Sequence, residues 1–469
     1  MRFDRIGGMK MARKGRRLDS DMTQGSIWRQ LIEFAIPMIF GLIFQQLYNT
    51  VDTIVVGQFV GKEALAAVGT TSSIINTLVG FAAGLSTGAS VVISQCYGSH
   101  DHKGLHNAVH TSICVTFLLS VAFTAVGVLG ADTLLRLQST PEDVFPEAHT
   151  YLTIYFSGLL GLLTYNMGSG ILRAVGDSRR PLYFLIFSAV INTILDLVFV
   201  VLLGMGVEGV AYATIIAQFL SAALTLWVLT RDRAPYGIHW GHLSIDFPTL
   251  RRIISIGLPS GIQQAITSFS NVFVQGYINF FGSACMAGWS SYNKLDAFIL
   301  IPMQAIAMAS TTFVGQNFGA RQIERARKGV RDAQILSISI TILCSIVMVI
   351  FARPLATMFS SESEVLDFAQ RFITLQAPFY FFMCFNQTFG GALRGIGKST
   401  APMILMLFSF VLFRQAYLFT MKTFFGNPLT GIALAYPVGW VMCSLTLSIY
   451  YRTTILGGRK AALQAEAAA

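Results

Sequence analysis

Twelve stretches of this sequence are each long and apolar enough to cross a bilayer, which takes roughly 20 residues per helix. They run 28–57, 64–94, 107–130, 146–172, 182–204, 207–230, 252–281, 285–313, 330–352, 366–393, 401–425 and 429–452. That pattern makes the fold class an all-α polytopic membrane protein with twelve transmembrane helices. Composition agrees. Only 12% of residues are charged against 54% hydrophobic, whereas a soluble domain carries about 25% charge to wet its surface. The net charge of +10 therefore reads as lysines and arginines held on cytoplasmic loops against anionic headgroups, not as a nucleic-acid footprint. Cys96, Cys114, Cys285, Cys344, Cys384 and Cys443 are scattered singly, with no CxxC spacing. Neither a disulfide framework nor a metal site is expected from them.

Charge bias orients the spans. The amino tail is basic (Arg2, Arg5, Lys10, Arg13, Lys14, Arg16, Arg17) and lacks an apolar core, so it is not a cleavable signal peptide. Met1 and Met22 are both candidate starts. Even-numbered loops hold clusters such as Arg179-Arg180, Arg251-Arg252 and Arg325 to Lys328, while odd loops carry few bases. The positive-inside rule then puts both termini in the cytoplasm, which requires an even number of spans, and twelve satisfies it. Pro37, Pro259, Pro302 and Pro378 are the expected kinks, since each removes a backbone donor.

The chain also repeats itself at an offset of about 221 residues. Ala35-Ile36-Pro37 falls on Gly257-Leu258-Pro259, Asn49 on Asn271, and Gln95-Cys96-Tyr97-Gly98 on Gln316-Asn317-Phe318-Gly319. Leu172-Arg173-Ala174-Val175-Gly176 falls on Leu393-Arg394-Gly395-Ile396-Gly397, Pro181 on Pro402 and Gly209 on Gly431. The expected organisation is a basic tail (1–26), an amino-terminal six-helix lobe (27–230), a cytoplasmic linker (231–250), a carboxyl-terminal six-helix lobe (251–452) and a cytoplasmic tail (453–469). Six spans per half point both halves the same way, related by a pseudo-two-fold along the membrane normal.

These residues carry a family resemblance. Ile36-Pro37, Asp52-Thr53 with Gly57, Gln95-Cys96-Tyr97-Gly98, Arg173-Ala174-Val175-Gly176-Asp177, Gly315-Gln316-Asn317-Phe318-Gly319 and Leu393-Arg394-Gly395-Ile396-Gly397 resemble the multidrug and toxic compound extrusion (MATE) family over about 30–452. The resemblance implies a two-lobed exporter of organic compounds driven by Na⁺ or H⁺. It also implies that the span-1 aspartate and the Asn-x-x-x-Asp of span 5 form an amino-lobe cation or proton site, here Asp52, Asn192 and Asp196, with Thr214 on span 6 a weaker member.

The residues themselves point the same way, because a carboxylate inside a bilayer is costly and marks function by default. Asp52, Asp196 and Asp296 lie well inside spans. Gln45, Tyr48, Asn49 and Asp52 share one helical face, as do Ser188, Asn192 and Asp196. At 1.5 Å rise per residue the two acids differ in depth by only ~5 Å, so they can form an oxygen-rich cation site or share a proton. The repeat partners of Asp52, Asn192 and Asp196 are Val274, Phe413 and Tyr417, so the fold does not demand the acids. Relatives that carry acids in spans 7 and 10 are not matched here, where Thr267 stands near the span-7 place.

The expected substrate cavity is lined by Gln45, Asn49, Gln264, Asn271, Gln275, Lys294, Asp296 and Tyr417, with Lys294 or Arg414 pairing with Asp296. Rings of spans 10 and 11 offer cation–π contact. His102, His106 and His110 lie at i, i+4, i+8 and read as a wetted helix start rather than a metal site. Gly80, Gly84 and Gly88 form a double GxxxG suited to close helix packing. No Walker loop, nucleophile elbow or zinc-protease spacing occurs, so an enzyme is not expected. The reading is a multi-pass, monomeric multidrug antiporter of a bacterial cytoplasmic membrane. Its partners are amphipathic, cationic organic substrates and membrane lipids; it needs no cofactor beyond a coupling Na⁺ or H⁺. The rivals are a lipid-linked oligosaccharide flippase of related architecture and, in another class, a membrane-embedded receptor or enzyme.

Overall fold

Lipid offers backbone groups no partner, so the apolar stretches satisfy their own hydrogen bonds as helices. A computed structural model describes residues 20–138, 140–231 and 234–457. The basic amino tail up to residue 19 and the carboxyl tail from 458 lie outside the described residues. Among the described residues there is no strand, and twelve long helical segments follow in order. The first six are α1 (Ile27–Val60), α2 (Lys62–Gly98), α3 (His102–Leu137), α4 (Phe145–Ser157 and Leu159–Ala174), α5 (Arg179–Leu202) and α6 (Gly206–Arg231). A connecting segment with one 3-10 turn, Trp240–His242, leads to α7 (Phe247–Asn279). Then come α8 (Ser283–Gly319), α9 (Ile323–Ile350), α10 (Ser363–Gln376 and Tyr380–Gly395), α11 (Thr400–Phe424) and α12 (Leu429–Thr453).

Nine of these are apolar and long enough to cross a membrane. The other three are α4, broken at Gly158, α10, broken by a 3-10 turn at Ala377–Phe379, and α7, which carries the polar stripe Gln264, Ser268, Asn271 and Gln275. The α10 break falls at Pro378, as expected. Pro37, Pro259 and Pro302 lie within α-helix that runs on through them. The remaining irregularities are π-helical turns at Val56–Val60 in α1, Leu197–Leu202 in α5 and Phe408–Phe413 in α11. Large apolar side chains stand exposed along the bundle, among them Leu129, Leu202, Leu412 and Ile449, a surface suited to hydrocarbon.

Two cores divide the helices into two lobes. One joins Val55 to Ala211 across α1–α6, and the other joins Val274 to Leu456 across α7–α12. The lobes meet where α2 packs along α7 and α1 along α8. Gly84 and Gly88 are the reason α2 and α7 can approach so closely. A Cβ on Gly84 would lie 2.2 Å from the Gly261 nitrogen, and one on Gly88 would lie 2.4 Å from the Ile253 oxygen. The GxxxG expectation thus holds.

At the basic end the repeat motifs close on each other across the pseudo-two-fold. Gln95 Nε2 donates to the Gly395 carbonyl at 2.8 Å, and its repeat partner Gln316 Nε2 donates to the Ala174 carbonyl at 2.9 Å. Arg252 donates to Gln95 Oε1, and the Met22 N–H donates to Gln316 Oε1. In this seal neutral amides reach backbone carbonyls and the Arg252 guanidinium braces Gln95, a geometry that is satisfied only when the lobes touch.

Candidate coupling site and inter-lobe cleft

In the amino lobe, α1 and α5 bring Asp52 and Asp196 together, and the two carboxyls meet each other. Asp196 has no exposed surface and Asn192 is 2% exposed. Neither oxygen of Asp196, nor Oδ1 of Asp52, nor either polar atom of the Asn192 side chain has any other hydrogen-bond partner among the described residues. The phenols of Tyr48, Tyr151 and Tyr155 stand around the pair, and Tyr155 accepts a long bond of 3.4 Å from Gln218 Nε2. Two carboxyls and an amide oxygen make a donor set for a hard cation, or for a proton shared between the acids. Ser188 and Thr214 are used elsewhere: their hydroxyls donate to the carbonyls of Ala217 and Val210, at 2.8 and 3.0 Å. Gln45 and Asn49 lie exposed on the same face of α1.

The carboxyl lobe is wired differently. Arg414 Nη2 donates to Ser270 Oγ at 2.8 Å and to Asn271 Oδ1 at 2.9 Å, and the guanidinium lies over the Tyr436 ring at 4.7 Å. Asp296 accepts from the Tyr380 hydroxyl, and the Tyr292 hydroxyl lies 3.1 Å from Asp296 Oδ1 and 2.7 Å from Gln376 Oε1. Trp289 and Trp440 pack against this group. The expected pairing of Asp296 with Lys294 or Arg414 is thus corrected: Asp296 is held by two hydroxyls. Lys294 points the other way round α8, its ammonium 5.1 Å from the Phe359 ring, because residues two apart face about 200° from each other. Gln264 and Asn271 are exposed, and Tyr417 is half-buried. Gln275 donates along its own helix to Asn279 at 2.8 Å.

Tyr292, Gln376 and Tyr436 were missed by the sequence reading, and Tyr380 entered it only as one of the span-10 rings, not as the donor to Asp296. The i, i+4 spacing of Tyr292 and Asp296 on α8 was the available signal. The π-helical turns were missed too. One begins four residues after Asp52, one directly follows Asp196, and the third directly precedes Arg414. Such turns leave carbonyls out of the α-helical ladder and recur at functional sites. No proline or glycine pattern announced them.

Comparison with known proteins agrees with this architecture. The family model described as MatE matches residues 37–198 and 259–420, one copy in each lobe. The chain is 30% identical over 437 residues to a probable multidrug resistance protein of Bacillus subtilis, YpnP, covering 92% of this chain and 96% of that protein. It is 26% identical over 436 residues to a second one, YoeA, covering 91% and 94%. A solved structure of a MOP superfamily transporter from Pyrococcus furiosus superposes with a TM-score of 0.88 at 24% identity, covering 93% of this chain and 98% of the other. Two MatE repeats, two lobes and two interlocking glutamine motifs lead to one conclusion: the chain belongs to the MATE family of membrane efflux transporters.

Proposed function

We propose that this transporter is a secondary active multidrug exporter that antiports amphipathic, cationic organic compounds against Na⁺ or H⁺. Asp52, Asn192 and Asp196 form its coupling-ion site. The observation that carries this reading is Asp196, a carboxyl with no exposed surface and, among the described residues, no partner but another carboxyl. Burying such a group ionised and unpaired costs several kcal/mol, so a bound cation or proton is what makes the arrangement sustainable. Asn192 adds an unpartnered amide beside it.

The remaining parts fit alternating access. Residues 27–230 and 251–452 act as the two lobes, connected by 231–250 and sealed at the basic end by Gln95 and Gln316. In a bacterial cytoplasmic membrane that end faces the cytoplasm, and Gln45, Asn49, Gln264, Asn271 and Asp296 face a cleft that opens outward. Release of the seal exposes the cleft inward. The ion and the drug drive the cycle only through different affinities for the two states.

The test is dye efflux from proteoliposomes holding the purified protein, with a Na⁺ gradient and a pH gradient imposed separately. The expected result is uphill export under one of the two gradients. Dye movement that ignores both gradients and only equilibrates would overturn the antiport reading.

A further inference from the structure

Four of the chain's seven histidines gather at one place, the basic end of α3. His106 and His110 sit one turn apart on that helix. His239 and His242 come from the segment between the lobes, which folds back over it. The ring centroids of His106, His239 and His242 form a near-equilateral triangle, 6.1, 6.3 and 6.4 Å on its sides.

His110 is not a corner of this triangle, although it stacks on His106 at 3.8 Å. Its side chain is buried and both nitrogens are engaged. Nδ1 lies 2.8 Å from the His106 carbonyl oxygen, and Nε2 accepts the His239 backbone N–H at 3.0 Å. The proton must then sit on Nδ1, and His110 serves as a latch for the connecting segment. A second latch is the Asp246 N–H, which donates to Thr111 Oγ1 at 3.0 Å. Just ahead of the first latch, Tyr236 and Ile238 are buried against the amino lobe. Asp246 also caps α7, and its bond from Thr249 holds its carboxyl below the usual carboxylate range. The segment is thus fixed in place by contacts independent of the three rings.

Each of those rings keeps a nitrogen that the latches do not use. His239 Nδ1 lies 3.2 Å from the Gly237 carbonyl, which directs its proton there and leaves the Nε2 lone pair available to a metal. Ligating histidines are commonly oriented by such a carbonyl. The candidate ligand nitrogens of His106, His110 and His239 lie within 4.8 Å of one another; tetrahedral bonds of about 2.0–2.1 Å need nitrogens roughly 3.4 Å apart, so binding requires the exposed His239 and His242 rings to swing in on His106. His239 and His242 are exposed and His106 half-buried, so an ion can enter from water.

We propose that His106, His239 and His242 bind one divalent transition-metal ion of the Zn²⁺ class, stapling the inter-lobe segment to α3. Three neutral imidazoles select borderline-soft ions over Na⁺, Mg²⁺ or Ca²⁺, which prefer oxygen. A fourth position stays open to water. The site is separate from Asp52 and Asp196, so its test does not depend on the transport mechanism.

The experiment titrates Co²⁺ into the purified full chain, carrying a histidine-free tag, in detergent. The expected result is one Co²⁺ per chain with the visible absorption of a four-coordinate nitrogen site, displaced by one equivalent of Zn²⁺. His239→Gln and His242→Gln should each weaken binding at least tenfold, while His149→Gln leaves it unchanged. Both exposed positions tolerate the change, and monodispersity on a sizing column controls for folding. Zn²⁺ should also slow hydrogen exchange across residues 236–246 in the parent and not in His242→Gln. No stoichiometric uptake by the parent, or uptake unaltered in both variants, would overturn the site. Unchanged exchange on Zn²⁺ binding would overturn the staple.

Discussion

The two lobes share a fold and one set of motifs, yet they treat charge in opposite ways. In the amino lobe, α1 and α5 present two acids to each other, and neither oxygen of Asp196 nor Oδ1 of Asp52 has another partner among the described residues. In the carboxyl lobe, the repeat partners α7 and α11 present Ser270, Asn271 and Arg414, already bonded together. Its own acid, Asp296, sits on α8 and is held by Tyr380 and Tyr292. A carboxyl with hydroxyl donors is a structural part at rest. A carboxyl without them needs an ion or a proton. Under the proposed antiport function, this difference puts coupling in the amino lobe and cavity shape in the carboxyl lobe.

Replacing each buried acid by an apolar residue should separate the lobes most strongly. Asp296→Leu strips the Tyr380 hydroxyl of its acceptor, and a buried donor left unsatisfied costs roughly 1–3 kcal/mol. Asp196→Leu removes a carboxyl that has no protein donor, so stability in detergent should hold or rise. Thermal unfolding followed by tryptophan fluorescence checks this; an equal loss in both variants would erase the contrast. A smaller effect is expected from Arg414→Gln. It gives up charge-assisted bonds to Ser270 and Asn271, and should change which substrates are exported while gradient dependence persists. Efflux assays with several dyes would show this, and loss of gradient dependence would place coupling in the wrong lobe.

Asn192→Ala should weaken Na⁺ dependence by about tenfold in a Na⁺-driven cycle, since one oxygen ligand is lost, and leave an H⁺-driven cycle nearly intact. Na⁺ titration of efflux distinguishes these. Unaltered Na⁺ affinity, with transport still Na⁺-driven, would remove Asn192 from the site. The smallest effect should come from Thr214→Ala, because that hydroxyl already donates to the Val210 carbonyl. A change in rate beyond about twofold, a few tenths of a kcal/mol, would bring Thr214 back into the site.

Much of this contrast was readable in the sequence, because period and repeat report directly on helix faces. Asp52, Asn192 and Asp196 stood out as polar groups on apolar helices whose repeat partners are Val274, Phe413 and Tyr417. Gly84 and Gly88 announced a close approach, although not that α7 would be the partner. What escaped was what depends on distant segments meeting. The Tyr380 and Gln376 contacts to α8 arise across α10, and no spacing within one helix encodes them. Asp296 was paired with a base because charge suggests charge, yet hydroxyls reached it first. The histidines of α3 looked like a solvated helix start, since their companions lie more than a hundred residues away. The π-helical turns depend on packing between helices, and nothing local marked them.

The most direct test of the account compares Asp196→Asn with Asp296→Asn in the same gradient-driven dye efflux assay. Both changes keep size and remove one charge. The account predicts that Asp196→Asn, like Asp52→Asn, stays monodisperse and binds dye but no longer exports it uphill, whereas Asp296→Asn exports with its gradient dependence intact. Full-rate coupled efflux by Asp196→Asn together with loss of coupling in Asp296→Asn would contradict it.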